Sequence, residues 1–166
     1  MSRILQNWPW AAFLASAAML AIAHAFQTFG HLSPCELCLK EREVYWAALA
    51  VAAAGVAGAF TPLNARWTRL ISLILALVFL GGCALAVYHA GAEWKFWPGP
   101  ATCSGGAGRV NAADLASLLT AKTMVMPACD KPAWVFLGVS MAGWNAVVSL
   151  GLAIASGLAA AHRRRA

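Results

Sequence analysis

Charged residues are scarce in this chain of 166 residues, where they make up only 11% of the sequence. In a typical soluble domain about a quarter of the residues are charged, so the composition argues against a soluble globular fold. Hydrophobic residues make up 61%, and they form runs close to the roughly 20 residues that a helix needs to cross a bilayer. Sequence repeats and motifs for soluble cofactors are also lacking. The composition therefore predicts one integral membrane domain.

Four apolar runs follow one another along the chain, each suited to one membrane crossing. Backbone groups in lipid must be hydrogen-bonded internally, so the runs are predicted to be helices. We expect an all-α, integral membrane four-helix bundle comprising residues 1–166, with a long loop that carries a short amphipathic helix. The expected spans are residues 10–29, 44–60, 70–89 and 140–161, and the expected loops between them that contain paired cysteines are residues 30–43 and 90–139.

The first run also has features of a cleaved signal peptide. Arg3 precedes it, and residues 23–25 have the small-x-small pattern of a cleavage site. However, the run is longer than a usual signal core, and it starts with Trp8 and Trp10, which are typical of an interfacial belt. We therefore expect this segment to be retained as the first helix.

Acidic residues are absent from both termini and from the connection between the second and third runs. These short segments contain six of the twelve basic residues, whereas the two longer loops contain six residues of each sign. The positive-inside rule therefore predicts cytoplasmic termini and places both loops on the opposite side of the membrane, where disulfides persist. Membrane topology thus accounts for the net charge of +6, and no nucleic-acid partner is needed to explain it. The six basic residues are Arg3, Arg66, Arg69, Arg163, Arg164 and Arg165.

Cys35 and Cys38 form a Cys-x-x-Cys pair just before the second run. Ser33 is predicted to cap a helix that begins at Pro34, with Glu36 completing a capping box. The free N–H groups and the positive end of such a helix favour a thiolate at Cys35. A bond across two residues would close almost no loop and stabilise little. A closed metal site would need four suitable ligands, so redox chemistry is favoured and no metal is expected.

Arg42 follows Cys38 at i+4 and is expected on the same helix face. Its guanidinium stays charged, and it is suited to stabilising a thiolate at Cys38 or negative charge on a nearby electron acceptor. The alternative functions for Arg42 are an interfacial anchor or an ion-pair partner for Glu36 or Glu41.

Cys103 and Cys129 lie in the longest polar loop, with 25 residues between them. A glycine-rich stretch follows Cys103, and Asn111 opens the predicted amphipathic helix. A disulfide between the two cysteines would remove about 3.5 kcal/mol of loop entropy. A structural bond therefore remains an alternative to thiol–disulfide exchange, which needs a reachable sulfur.

Several other residues of interest have simpler interpretations. Cys83 lies within the third run and is expected to be a small apolar filler. His89 ends that run, with Glu93 four residues later, and is either an interfacial polar residue or a proton donor to a reduced acceptor. Trp134 and Phe136 are expected in an interfacial aromatic belt.

These residues together resemble the DsbB family of bacterial disulfide-forming membrane proteins. The resemblance covers nearly the whole chain and includes the four apolar runs. It rests on the motifs Pro34-Cys35-x-x-Cys38-x-x-x-Arg42, Ala101-Thr102-Cys103, and Cys129 followed by Trp134-x-Phe136-Leu137-Gly138.

The resemblance implies an enzyme of the bacterial inner membrane, a protein-disulfide:quinone oxidoreductase. Members of the family reoxidise DsbA, a thioredoxin-like oxidant of the periplasm, and pass two electrons to ubiquinone or menaquinone. By matching positions, Cys103 would form the mixed disulfide with this partner and Cys129 would engage Cys35. Cys38 would be the thiolate that meets the quinone, and Arg42 matches an arginine implicated in quinone interaction.

Two other functions remain open at this point. One is a quinone or epoxide reductase of the vitamin K epoxide reductase type, although its redox Cys-x-x-Cys is expected nearer the last helix. The other is a membrane protein whose disulfides only brace its loops.

Overall fold

A computed structural model of the chain describes residues 4–5, 7–58, 64–100 and 129–162. Most of these residues belong to four helices, of which α4 packs along α3 while α2 lies against both α1 and α3. The predicted helical membrane bundle is therefore confirmed. Cys103 and the amphipathic helix predicted from Asn111 lie outside the described residues. The helices are α1 (Trp8–Thr28), α2 (Glu36–Gly58), α3 (Asn64–Glu93) and α4 (Met141–Ala161).

Three of the described helices are long and apolar enough to cross a membrane: α1, α4 and the part of α3 from Arg66 to Glu93. In contrast, α2 carries five charged residues between Glu36 and Glu43, so its apolar part starts only at Val44. The span predicted for residues 44–60 starts where that apolar part starts and stays a prediction.

Small residues bring the helices into close contact in the core. Ala12, Ala48 and Ala52 are completely buried beside Leu75 and Phe79. Small residues are typical of helix contacts in membranes, where close packing rather than water exclusion holds helices together. The four helices therefore need little side-chain volume between them in this part of the bundle.

A two-stranded antiparallel ribbon, β1 (Val135–Phe136) and β2 (Val139–Ser140), precedes α4. Its two-residue loop has positive φ at both Leu137 (52°) and Gly138 (77°), as a type I′ hairpin turn requires. The Ser140 hydroxyl then accepts a first-turn N–H and caps α4. The sequence prediction placed this segment in a loop and missed the ribbon, which folds the chain back over the cysteine-bearing end of the bundle.

Candidate active site

The cysteine pair lies at the start of α2, which begins at Glu36 and not at the predicted Pro34. The Cys35 Sγ accepts the backbone N–H of Cys38 at 3.2 Å. Cys35 therefore occupies the capping position before the helix that the sequence prediction gave to Ser33. The Cys35 and Cys38 Sγ atoms are 2.7 Å apart, and both cysteines are free.

The two thiols differ in their tendency to ionise. The hydrogen bond from the Cys38 side chain lowers the pKa of Cys35, the Cys38 backbone N–H acts in the same direction, and burial opposes both. The same side-chain hydrogen bond raises the pKa of Cys38, which donates it, and burial raises that pKa further. The reduced pair therefore carries its first negative charge on Cys35, as expected for a thiol at a helix start.

The two sulfurs also have different surroundings. Cys35 forms a small buried cluster with Leu37 and Cys129, in which Cys35 is 5% exposed and Cys129 only 1%. Cys129 is disulfide-bonded. Cys38 packs against this cluster and also lines a cavity. The pair thus connects the neighbourhood of Cys129 to the cavity.

The cavity has a volume of about 380 Å³ and is lined by residues of α1, the start of α2, the end of α3 and the start of α4. Its volume falls within the roughly 300–1,000 Å³ typical of small-molecule sites. Its surface is mostly apolar, with a few polar side chains at one side, the mixture that such sites use to bind and orient a ligand. The main polar and charged side chains are Cys38, Glu41, Arg42, Tyr45, His89, Glu93 and Asn145.

Aromatic rings form another wall of the cavity. Trp134 and Phe136 are stacked, with centroids 5.6 Å apart and an interplanar angle of 8°. Phe26 of α1 lies 5.4 Å from Trp134, and Trp144 of α4 lies 6.4 Å from Phe136. The sequence analysis expected Trp134 and Phe136 in an interfacial belt and did not predict that they line a cavity. Their position in the cavity wall depends on the β1–β2 ribbon.

Arg42 lines the same cavity as Cys38, consistent with their predicted common face. Its Nη1 donates to the Gln27 Oε1 at 2.6 Å, and its Nη2 donates to the Ala23 carbonyl at 3.2 Å. The guanidinium is therefore held by α1, and within the described chain it forms no ion pair with Glu36 or Glu41. A fixed positive charge borders the apolar space.

A buried chain of hydrogen bonds links α2, α3 and α4 beside the cavity. The Nδ1 of His89 lies 2.7 Å from the Glu41 Oε1, and the Asn145 Nδ2 donates to the Glu41 Oε2 at 2.7 Å. The Tyr45 hydroxyl donates to the Asn145 Oδ1 at 2.6 Å. Because a carboxylate accepts but does not donate, the His89 proton is assigned to Nδ1.

The other ring nitrogen of His89 faces the reactive end of α2. Its Nε2 lies 3.5 Å from the Cys35 Sγ and 3.7 Å from the Glu93 Oε1. The sulfurs of Cys35 and Cys38 and a ring nitrogen of His89 all lie within 4.8 Å of one another. His89 is only 2% exposed, so its side chain lies inside the bundle and does not face lipid or solvent.

Glu41 and Asn145 were not identified as site residues from the sequence. Glu41 was considered only as a partner for Arg42, although its contacts run to α3 and α4. Asn145 gave a usable signal, because a polar residue inside a predicted membrane span usually faces the bundle interior and has a defined partner.

Known proteins with similar sequences identify the family of this chain. The family model for the disulfide bond formation protein DsbB matches residues 6–159. A disulfide bond formation protein B of Methylococcus capsulatus is 33% identical over 144 residues, covering 84% of each chain. Another from Albidiferax ferrireducens is 32% identical over 155 residues, covering 91% of this chain and 84% of the relative.

A disulfide bond formation protein B of Pasteurella multocida is 30% identical over 142 residues, covering 84% of this chain and 76% of the relative. No solved structure is significantly similar to this chain. The family match covers both described cysteine-bearing segments and all four helices almost completely. The chain therefore belongs to the DsbB family of membrane disulfide bond formation proteins.

Proposed function

We propose that this protein reoxidises a DsbA-like thiol oxidase of the periplasm and passes the electrons to a membrane quinone, either ubiquinone or menaquinone. One observation carries the proposal: Cys35 packs against disulfide-bonded Cys129, while Cys38 lines an apolar cavity. Adjacent sulfurs on these two sides suit electron transfer from a protein disulfide to a lipid-soluble acceptor.

The first steps of the route take place at the long loop. A thiolate of the reduced partner attacks a disulfide between Cys103 and Cys129, forms a mixed disulfide with Cys103 and releases Cys129 as a thiolate. The second partner thiol then resolves the mixed disulfide, so the partner leaves oxidised and both loop cysteines are reduced. Each step is thiolate attack on a disulfide sulfur.

The next steps move the two electrons to the cysteine pair of α2. The Cys129 thiolate attacks Cys35 in a Cys35–Cys38 disulfide and releases Cys38. Cys103 then attacks Cys129, which restores the loop disulfide and frees Cys35. The resulting state has an oxidised Cys129 with free Cys35 and Cys38, which are the oxidation states of these three cysteines in the structure.

The last step takes place in the cavity. Cys38 approaches the quinone ring, and the pair loses two electrons as the Cys35–Cys38 disulfide forms again. The quinone gains these electrons and two protons, with the thiols as the net proton source. Arg42 stabilises negative charge on the ring oxygens during transfer, and its hydrogen bonds to α1 keep the guanidinium at the cavity wall.

The proposed orientation puts the cysteine end of the bundle in the periplasm and both termini in the cytoplasm. The support is the charge distribution, since the basic residues without acidic neighbours lie in the termini and the α2–α3 connection. Labelling of single-cysteine variants in intact cells with an impermeant maleimide tests this orientation. Labelling of the α2–α3 connection, rather than of the α1–α2 loop, would contradict it.

The proposed reaction is tested with purified protein, a quinone and a reduced thioredoxin-like partner. We expect quinol formation matched by the loss of partner thiols. Cys38→Ser should abolish it, and Arg42→His should slow it. Cys83→Ser is the matched control, because Cys83 lies in α3 away from the lining of the cavity and should leave the rate unchanged.

Two results would overturn the proposal. Quinol formation that persists in Cys38→Ser would show that another group delivers the electrons. Unchanged thiol oxidation by Cys35→Ser, in cells that rely on this protein, would instead identify the disulfides as structural.

A further inference from the structure

The reactive cysteine pair lies beside two further metal-binding side chains, His89 and Glu93, for which the proposed redox reaction has no step. Two sulfurs, from Cys35 and Cys38, and a ring nitrogen of His89 lie within 4.8 Å of one another. In tetrahedral geometry, bonds of about 2.3 Å to sulfur and 2.0 Å to nitrogen put the two ligand atoms about 3.5 Å apart. The Cys35 Sγ and the His89 Nε2 are 3.5 Å apart, so these two ligands need almost no movement.

The orientation of His89 also suits metal binding. Glu41 accepts the Nδ1 proton at 2.7 Å and is itself held by Asn145. Metal-binding histidines characteristically have such a carboxylate partner, which fixes the tautomer and aims the free nitrogen at the ion. The Nε2 lone pair of His89 therefore points towards the cysteine pair.

Glu93 is the nearest carboxyl group to this cluster on α3, although it lies outside the group of atoms within 4.8 Å of one another and would have to move towards the sulfurs to become a fourth donor. Its side chain is 5% exposed, and its Oε1 lies 3.7 Å from the His89 Nε2. Its Oε2 is buried without a hydrogen-bond partner among the described residues. A buried, unpaired carboxyl oxygen is costly, and a cation at the cysteine pair would provide the missing partner. Cys103 and Cys129 lack the short spacing of a second pair of metal ligands. The second pair of ligands would instead be His89 and Glu93 of α3.

We propose that the reduced protein binds one borderline-soft divalent cation of the Zn²⁺ type through Cys35, Cys38, His89 and Glu93. Two sulfurs, one imidazole and one carboxylate are a ligand set that suits Zn²⁺. The sulfurs, now 2.7 Å apart, would separate to about 3.8 Å to take tetrahedral positions. Binding releases the thiol protons and transfers no electrons.

Binding is confined to the reduced state, because a Cys35–Cys38 disulfide has no thiolate to offer. The occupied pair cannot form its disulfide, so the cation reversibly blocks delivery of electrons to the acceptor. This consequence rests on the proposed function, whereas binding itself does not. The cavity borders Cys38, His89 and Glu93 and gives an ion access to them.

The test uses Co²⁺ as a spectroscopic probe of the full-length protein in detergent, without quinone and without oxygen. The background carries Cys103→Ser and Cys129→Ser, so that only the α2 pair and Cys83 contribute thiols. We expect one equivalent of Co²⁺ to give a sulfur-to-cobalt charge-transfer band with tetrahedral visible bands, and Zn²⁺ to displace it. Cys83→Ser should retain the spectrum, whereas Cys38→Ser should lose it.

Two further variants separate ligation from folding. Glu93→Gln should weaken Co²⁺ affinity while far-ultraviolet circular dichroism stays unchanged. Glu41→Gln should weaken it by about 10-fold or more, the effect usual for the partner of a ligating histidine. Absence of the charge-transfer band in the reduced background, or its persistence in Cys38→Ser or in oxidised protein, would overturn the site. Failure of quinone reduction in metal-free protein would contradict the proposed function and leave the cobalt spectrum unaffected.

Discussion

At the end of the bundle that contains Trp8 and Gly55 the helices are in direct contact, whereas at the cysteine end they surround a cavity of about 380 Å³. We call the first the closed end, defined by Trp8, Pro9, Gly55, Ile71 and Ser156. There, the backbone of α2 at Gly55 lies so near α1 and α3 that an added Cβ would be 2.7 Å from Ile71 and 2.9 Å from Pro9. Close packing is therefore the main interaction between the helices at the closed end.

At the cysteine end the helices are not in such close contact, and hydrogen bonds join them instead. The chain Tyr45–Asn145–Glu41–His89 joins α2, α3 and α4 with three contacts of 2.6 to 2.7 Å. Polar groups buried in a low dielectric stabilise a structure only while each has its partner. This polar network joins the helices around the cavity, and we expect its loss to lower both the stability of the protein and the rate of its reaction.

The largest effect is expected when the network is cut at its centre. Asn145→Leu keeps a similar volume but removes the donor to Glu41 and the acceptor of the Tyr45 hydroxyl. The buried carboxyl group of Glu41 would then lack its Asn145 donor, which should lower the free energy of unfolding by about 3 kcal/mol. Thermal unfolding in detergent, followed by circular dichroism, measures the change.

The matched control for this variant is Ser149→Ala. Ser149 contacts the Tyr45 hydroxyl at 3.0 Å but lies outside the route from Asn145 to His89. Its loss should cost less than about 1 kcal/mol, since one neutral hydrogen bond is removed. Equal effects of the two variants would refute a special contribution from the carboxyl group.

The next largest effect is expected at the closed end. Gly55→Ala introduces a Cβ that overlaps Ile71 and Pro9, and such overpacking should cost about 2 kcal/mol. Gly81→Ala is the control, because its Cβ would meet nothing within 4 Å and alanine favours the helix. We expect Gly55→Ala to lower the unfolding temperature and Gly81→Ala to leave it unchanged or raise it. A similar loss in both would exclude close packing as the cause.

The bundle was predictable from the sequence because long apolar runs have few alternatives to membrane helices. The ribbon before α4 was not, although Leu137-Gly138 forms its turn. Glycine gives a recognisable signal for positive φ, but leucine at the other position does not. The start of α2 was predicted two residues early. The residue that caps the helix is Cys35, whose sulfur accepts the backbone N–H of Cys38, and not Ser33.

The candidate site was predictable where its residues share one helix. Cys38 and Arg42 line one cavity, as their i+4 spacing indicated. The partners of Arg42 were not predictable, because Ala23 offers a backbone carbonyl and Gln27 belongs to another helix. The link from Glu41 to His89 and Asn145 joins three helices, and their relative rotation cannot be read from one helix's pattern.

The ionisation of Cys35 distinguishes the cysteine end in a more subtle way. The Cys38 thiol lowers the pKa of Cys35 by donating a hydrogen bond to its sulfur. When this donor is lost, the pKa of Cys35 should rise towards the value of an ordinary thiol. Cys38→Ala should therefore move the pH profile of Cys35 alkylation to higher pH and slow the reaction at neutral pH. Cys38→Ser retains a donor and should give the smaller shift. Mass spectrometry locates the alkyl group, and a profile unaltered by alanine would contradict the role of the Cys38 thiol.

The smallest effect is expected from a buried hydrogen bond between α1 and α4 at the closed end. The Trp8 Nε1 donates to the Ser156 hydroxyl at 2.8 Å, and that hydroxyl still donates to the Leu152 carbonyl when the indole is lost. Trp8→Phe should thus cost only about 0.6 kcal/mol, the usual contribution of a hydrogen bond between membrane helices. Trp10→Phe, at a ring that is 48% exposed, provides the baseline in the same unfolding experiment. If Trp8→Phe destabilised the protein as much as Asn145→Leu, hydrogen bonding rather than shape would hold both ends, and the contrast between them would be lost.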